Sequence, residues 1–314
     1  RPYAPVQNAV IAGKKIYFWR KKMKKSKFKL FAALLLAAAM TVLSLSGAAP
    51  VLADETAAIL ANAAKSPAVH TAPEGYDQND FNKVRTFLEQ TDSNGIRNGE
   101  KLNPDGYDPD DPESWGALFV DEWGFEHEAY FDWEEVDGIN RMFAINLTYI
   151  KDFAGTFDMS GLDALSTLDV DGGNFTTADL SNCYEMTHCY FANSTLSSVN
   201  FFNCANVTEL YLQDNELTEV LNLGDCTSLL FLDILMNNDL EEIDLSGCER
   251  IIEHLDFSQT KVSDVNETEM FALCEFSCES SGITELDLRN CNYLNYVNCN
   301  FCDMDFLYLP ELPN

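Results

Sequence analysis

Residues 229–250 read L-L-F-L-D-I-L-M-N-N-D-L-E-E-I-D-L-S-G-C-E-R. Leu229, Leu232 and Ile234 occupy places 1, 4 and 6, and Asn237 occupies place 9. The pattern then restarts: Leu240, Ile243 and Leu245 fill the same apolar places, and Cys248 stands where Asn237 stood. Places 4 and 6 alternate with an outward place 5, as a strand requires. One such unit has an apolar edge that it cannot bury by itself.

Neighbouring units supply the partner. Units of 21 residues begin at Leu165 and Met186, and units of 22 at Val207 and Leu229. A less regular unit runs from Ile251 or Ile252 to about Met270, another begins at Phe271, and the last begins at Leu294. A degenerate first unit lies near Met142, with Ile145, Leu147 and Ile150. A fixed period of this length means stacked coils sharing one continuous core. The predicted fold is therefore a solenoid, mainly β, with short parallel strands stacked along the coil axis.

The phrase I-D-L-S-G-C at 243–248 also recurs, as D-L-S-N-C, N-L-G-D-C and D-L-R-N-C ending at Cys183, Cys226 and Cys291. Together with Cys204 and Cys248 these cysteines mark one place per coil. A small apolar side chain with a weak S–H donor suits an inward corner, so the five are read as a structural ladder. Disulfides between stacked coils are the rival. Strands about 4.8 Å apart hold Cβ atoms near that separation, beyond the usual disulfide range of about 3.5–4.5 Å. Cys189 and Cys274 are assigned to place 4 and Cys299 to place 6, while Cys278 and Cys302 are expected to face outward. The single C-x-x-C of Cys299 and Cys302 is weak evidence for zinc.

The places L-x-x-L-x-L-x-x-(Asn or Cys)-x-L are the leucine-rich-repeat signature. Residues 139–309 resemble secreted bacterial leucine-rich-repeat proteins with a nested 21-residue repeat, through the D-L-S-x-C phrase, the alternating half-units and A-G-T-F-D-M-S-G-L at 154–162. The resemblance implies an extracellular binding or adhesion module, broadly internalin-like, with no catalytic residue. Repeats normally end in caps; none is evident after Leu309-Pro-Glu-Leu-Pro-Asn, so a fragment is one reading of the C-terminal end.

The organisation before the repeats is read from composition. Met23 opens M-K-K-S-K-F-K, followed by an apolar run from Leu30 and G-A-A-P-V-L-A before Asp54. That is a basic region, an apolar region and a small-residue cleavage site, hence a signal peptide over 23–53. Residues 1–22 carry no start Met and end W-R-K-K; Trp-Arg back-translates to a ribosome-binding sequence, so they are read as upstream read-through. An Ala-rich leader covers 54–72, and an N-terminal helical and aromatic capping region covers 73–138. Within it, Phe81, Val84, Phe87 and Leu88 fall at helical spacing, with Asp77 as N-cap.

Residues 1–53 hold ten of the 20 Lys and Arg and none of the 51 Asp and Glu. The remaining chain would carry 10 − 51 = −41. Such a charge excludes nucleic acid and disfavours anionic membranes, and no stable membrane insertion is expected after signal cleavage. The expected location is secreted or cell-surface. The acidic turn at 103–113 offers Asp105, Asp108 and Asp110 as a weak Ca²⁺ candidate. No cofactor and no catalytic set is read from the chain. Trp115, Trp123 and Trp133 are read as an aromatic plug rather than a sugar platform.

Outward places 5, 7 and 8 vary from coil to coil: Tyr190, Tyr211, Gln213, Asp214, Asp233, Leu235, Met236, Asp256 and Gln259. A varied face with exposed aromatics suits an extracellular protein or glycan partner. Two further readings are the recognition region of a larger secreted enzyme and a Ca²⁺-dependent structural component of the cell wall.

Overall fold

The computed structural model describes residues 9–12, 15–18, 70–120, 126–148 and 152–310. The expected signal peptide at 23–53 and Trp123 lie outside them, as does all but the last three residues of the leader at 54–72.

Eight parallel strands stack at one residue triplet per coil: Ile139–Leu147, Thr167–Asp171, His188–Ala192, Glu209–Tyr211, Phe231–Asp233, His254–Asp256, Glu275–Ser277 and Tyr296–Asn298. Their register places Ile145, Leu168, Cys189, Leu210, Leu232, Leu255, Phe276 and Val297 side by side. All eight are buried. The chain is thus a β-solenoid of eight coils at roughly the predicted period.

The half-units form the opposite side. Parallel pairs join Phe157–Asp158, Thr177–Asp179 and Ser198–Asn200, then Thr218–Asn222 with Asp239–Asp244, and Glu285–Asp287 with Phe306–Tyr308. A bulge after Glu219 turns Val220 outward and keeps Leu221 and Leu223 in the core.

The inward corners decide how coils are tied. Asn215 Nδ2 donates to the carbonyls of Leu212 (3.0 Å) and Phe191 (2.8 Å), while its Oδ1 accepts from Leu196 N (3.2 Å). Asn237 repeats this with Ile234, Leu212 and Leu217 one coil later. In the other half of the coil, Cys183 Sγ donates to Met159 O (3.3 Å) and Cys204 Sγ to Leu180 O (3.1 Å). The cysteine ladder therefore turns inward and bonds to the preceding coil. Burial pushes its thiols up, Cys204 to about 11 and Cys248 and Cys291 to about 12, so the S–H proton is retained for donation. All ten cysteines are free thiols.

Three sequence expectations need correction. Cys278 and Cys302 are buried, Cys278 because the seventh unit begins at Leu273 rather than Phe271 and Cys302 because place 9 turns inward. Cys278 then falls in place 6 and Cys302 in place 9 of the last unit, where its Sγ donates to Cys278 O at 2.9 Å. Phe276, not Cys274, takes place 4. The choice between Ile251 and Ile252 falls on Ile252, which is fully buried.

At the N-terminal side, the helix Gln78–Leu88 is capped by Asp77, whose side chain accepts from Asn79 N and Asp80 N. Phe81, Val84, Phe87 and Leu88 are buried as expected. Asp80, fully buried, accepts from Arg141 Nε (2.8 Å) and from Met142 N (3.0 Å), tying the helix to the first parallel strand. Trp115 is buried between Phe81 and Phe131. Strand Glu126–Val136 runs antiparallel to that first strand and Ala117–Val120 antiparallel to Glu126–Val136, so the sheet continues across the boundary drawn at 138/139. The hairpin turn there is Asp137-Gly138, both with positive φ, as a two-residue turn requires. Strands Ala9–Ala12 and Lys15–Phe18 form a hairpin that pairs antiparallel with Tyr296–Asn298. Among the described residues no helix is long and apolar enough to cross a membrane.

Two outcomes are expected. Asn237→Ala leaves the Ile234 carbonyl and the Leu217 amide without partners and removes one of two donors to the Leu212 carbonyl, so urea melts will show about 2–4 kcal/mol lost, against under about 0.5 kcal/mol for exposed Asn292→Ala. In native thiol labelling followed by peptide mapping, half-exposed Cys274 will react while Cys183, Cys204, Cys226, Cys248 and Cys291 react only as the chain unfolds.

Candidate functional site

The outward side of the eight-strand sheet carries two rows. One follows the inward residue in each strand: Asp169, Tyr190, Tyr211, Asp233, Asp256 and Ser277. Four of the predicted face residues, Tyr190, Tyr211, Asp233 and Asp256, are neighbours in this row. Gln213 and Leu235 follow just beyond the strand ends. Asp214, Met236 and Gln259 lie one step further, at corners with φ of 54°, 64° and 57°. Their position is set by the left-handed turn that ends each strand, and they flank the face rather than form it.

The second row precedes the inward residue: His188, Glu209, Phe231, His254, Glu275 and Tyr296. Sequence reasoning missed it by counting outward places only from 5 onward. Strand alternation puts place 3 on the same side as place 5, so the signal was there.

The two rows interlock. Tyr190 and Tyr211 rings lie 5.9 Å apart, Tyr211 and Phe231 4.8 Å, and Phe231 and His254 4.0 Å with planes only 3° apart. A diagonal aromatic ladder thus crosses four coils. Carboxylates run along it. Glu209 approaches His188 Nε2 at 3.3 Å, and Glu275 approaches His254 Nδ1 at 3.1 Å. Asp233 and Asp256 accept from the backbone N–H two residues on, at 3.0 and 2.8 Å, which fixes their side chains at the strand ends.

The electrostatics are one-sided. Burial raises the Asp169 carboxyl, and burial raises the Asp233 carboxyl with Asp256 adding to it. The Tyr211 phenol is raised by burial, then by Glu209 and Asp233. The Tyr296 phenol is raised by burial, then by Asp256, Glu279 and Glu275. From Thr167 to Asn298 none of the seven strands contains Lys or Arg.

Beside Tyr296 the face deepens into a hollow of about 290 Å³, lined among others by Leu235, His254, Asp256, Ser258 and Asn298. Ser258 and Ser277 hydroxyls meet at 2.7 Å in its floor, and Asn298 Nδ2 donates to Glu279 Oε2 at 2.8 Å. That volume lies at the bottom of the range for small-molecule pockets, about 300–1,000 Å³; it suits a side chain of a larger partner.

The acidic turn at 103–113 is arranged differently. Asp108 Oδ1 accepts from Asp110 N, Asp111 Oδ1 from Glu113 N, and Asp110 pairs with Arg85 at 3.2 Å. Among the described residues no group of three His, Cys, Asp or Glu is placed to hold a metal ion.

No protein-family model matches the chain, and no curated protein matches it significantly.

The raised Asp233 pKa gives a signed expectation. A folded-state pKa above the unfolded value means that the native state holds the proton more tightly, so its stability falls as pH rises through that interval. Asp233→Asn keeps the Oδ1 acceptor and removes the charge. Its Tm will exceed wild type at pH 7 by about 1–3 °C, and the difference will vanish once the pH is below the unfolded carboxyl range.

Proposed function

We propose that the chain is a secreted or cell-surface, non-catalytic binding module of the leucine-rich-repeat type, which holds an extracellular protein or glycan on the outward side of its eight-strand sheet. The observation that carries this reading is the aromatic ladder from Tyr190 to His254. Large, partly exposed rings on adjacent strands are the anchors from which recognition surfaces are built. The rigid stack beneath them holds the rings in place before a partner arrives, which lowers the ordering cost of association.

Two further features support it. Places 1, 4 and 6 carry the apolar residues of the leucine-rich pattern, and in the two central coils Asn215 and Asn237 at place 9 perform the corner role that this pattern needs. The helix and the antiparallel strands before residue 139 would serve as the N-terminal cap, since they cover the first coil's apolar edge with Phe81, Trp115 and Phe131. Secretion rests on the basic, apolar and small-residue segments at 23–53.

The test is capture of surface proteins and glycans by the full chain and by the double variant Tyr211→Ala, Asp233→Ala, with circular dichroism verifying the fold of both. The expected outcome is loss of at least nine-tenths of the captured material in the variant. Equal capture by the two proteins would reject this face as the binding surface.

A further inference from the structure

Residues 152–314 contain 30 Asp and Glu but only three Lys and Arg: Arg250, Lys261 and Arg289. Each of the three is paired away from the strand face, Arg250 with Glu269, Lys261 with Asp239 and Arg289 with Asp287. On the face itself stand Asp169, Glu209, Asp233, Asp256, Glu275 and Glu279, and the groups there able to become cationic are His188 and His254. The acidity of the chain as a whole serves solubility, and a solubility charge belongs on exposed side chains. Asp169 and Asp233 are instead half-buried, with carboxyls raised by that burial. Charge placed there at a cost to the free protein is compensated when a cation arrives.

We infer that the partner of this face is an extended basic polypeptide segment, whose Arg or Lys side chains lie along the ladder from Tyr190 to Tyr296 and whose anchor enters the hollow bounded by His254, Asp256 and Tyr296. The inference rests on the face assignment above and names its partner's chemistry.

Three features favour that occupant. Aromatic faces and carboxylates both attract cations, and here they are neighbours: the Tyr211 hydroxyl meets Glu209 at 3.5 Å with Asp233 in register on the next strand, and Tyr296 stands in register with Glu275 and lines the hollow with Asp256 and Glu279. A guanidinium fits both partners at once, because it stacks on a ring and bonds a carboxylate through its fork. A neutral glycan would cover the same carboxylates and leave their charge uncompensated. Length separates a peptide from a small amine. The six strands from Tyr190 to Tyr296, at about 4.8 Å, span roughly 24 Å, which an extended chain covers in about seven residues at about 3.3 Å each. Alternate side chains of such a chain point to one side, so a basic residue at every second position meets the face repeatedly.

The hollow gives the segment its anchor. Its lining is mixed: Leu235 and Phe276 stand beside a polar set already internally bonded through Ser258, Ser277 and Asn298, and Asp256, Glu279 and Tyr296 complete it. A volume of about 290 Å³ is enough for one long side chain.

Fluorescence anisotropy on the full chain, at physiological salt, tests this with a labelled peptide of alternating Arg and Ser. Its comparators are a peptide of alternating Gln and Ser, spermine as competitor and a neutral chitin oligosaccharide. The Arg–Ser peptide is expected to bind, the Gln–Ser peptide to bind at least tenfold more weakly, and spermine to compete poorly. Asp233→Asn with Asp256→Asn keeps both backbone caps and is expected to weaken Arg–Ser binding at least tenfold. Glu216→Gln with Glu242→Gln removes the same charge away from the strand face and is expected to change it less than twofold. Equal weakening by both pairs would mean diffuse attraction to an acidic protein and would overturn the inference. So would tight competition by spermine, or binding of the oligosaccharide without the Arg–Ser peptide. Capture lost in Tyr211→Ala, Asp233→Ala while the Arg–Ser peptide fails to bind would leave the face assignment standing and reject only the basic partner.

Discussion

Every coil of this solenoid must turn twice, and each turn points backbone carbonyls and amides into an apolar core where water cannot reach them. A buried peptide group without a partner costs more than a hydrogen bond returns. In the central coils the chain meets this with an asparagine at the corner. Asn215 and Asn237 each bond a carbonyl of their own coil, a carbonyl of the preceding coil and an amide of the preceding coil. These bonds set the stacking register as well as satisfying the corner. If they fail, neighbouring coils lose both the hydrogen bonds and the alignment that buries Leu210 against Leu232.

The opposite corner is filled more economically. Cysteine offers one weak donor, and Cys183 and Cys204 use it on the carbonyl 24 residues earlier. Its small size lets the half-unit strands approach closely, and burial keeps the thiol protonated and unreactive. The Asp or Asn four residues before each cysteine completes the arrangement. Asp179, Asn200, Asn222, Asp244 and Asp287 each accept from the backbone N–H two residues on. The recurring D-L-S-x-C phrase is therefore one turn mechanism: a carboxylate that closes the bend outside, a leucine in the core, and a thiol that closes it inside.

With the corners supporting the stack, the strand face is free to vary. Its residues contribute little to the core, so rings and carboxylates accumulate there without loss of register. The same rigidity makes the face suited to recognition. Tyr190, Tyr211, Phe231 and His254 are held by neighbouring strands at ring separations of 4.0–5.9 Å, with no loop to reorganise. The half-buried Asp169 and Asp233 carboxylates beside them are an electrostatic cost in the free protein, which the proposed basic partner would offset.

The solenoid, its period, the inward Leu and Ile places, the cysteine ladder and the helix that presents Phe81 and Phe87 were all legible in the sequence. They follow from local periodicity, and a repeat multiplies a weak local signal until it is unambiguous. The sequence also supplied one outward row of the face, because Tyr190, Tyr211, Asp233 and Asp256 stand at a fixed offset from inward leucines. Where the period loosens, after Ile251, local pattern lost the register by two residues and misplaced Cys274 and Cys278; strand pairing between coils restored it. The second row, from His188 to Tyr296, became a surface only through that pairing. Phe231 and His254 are 23 residues apart in the chain, and their rings stack because two coils set Leu232 against Leu255. Sequence period determines which residues turn inward. The contacts between outward residues depend on the lateral alignment of separate coils, which is a property of the packed stack.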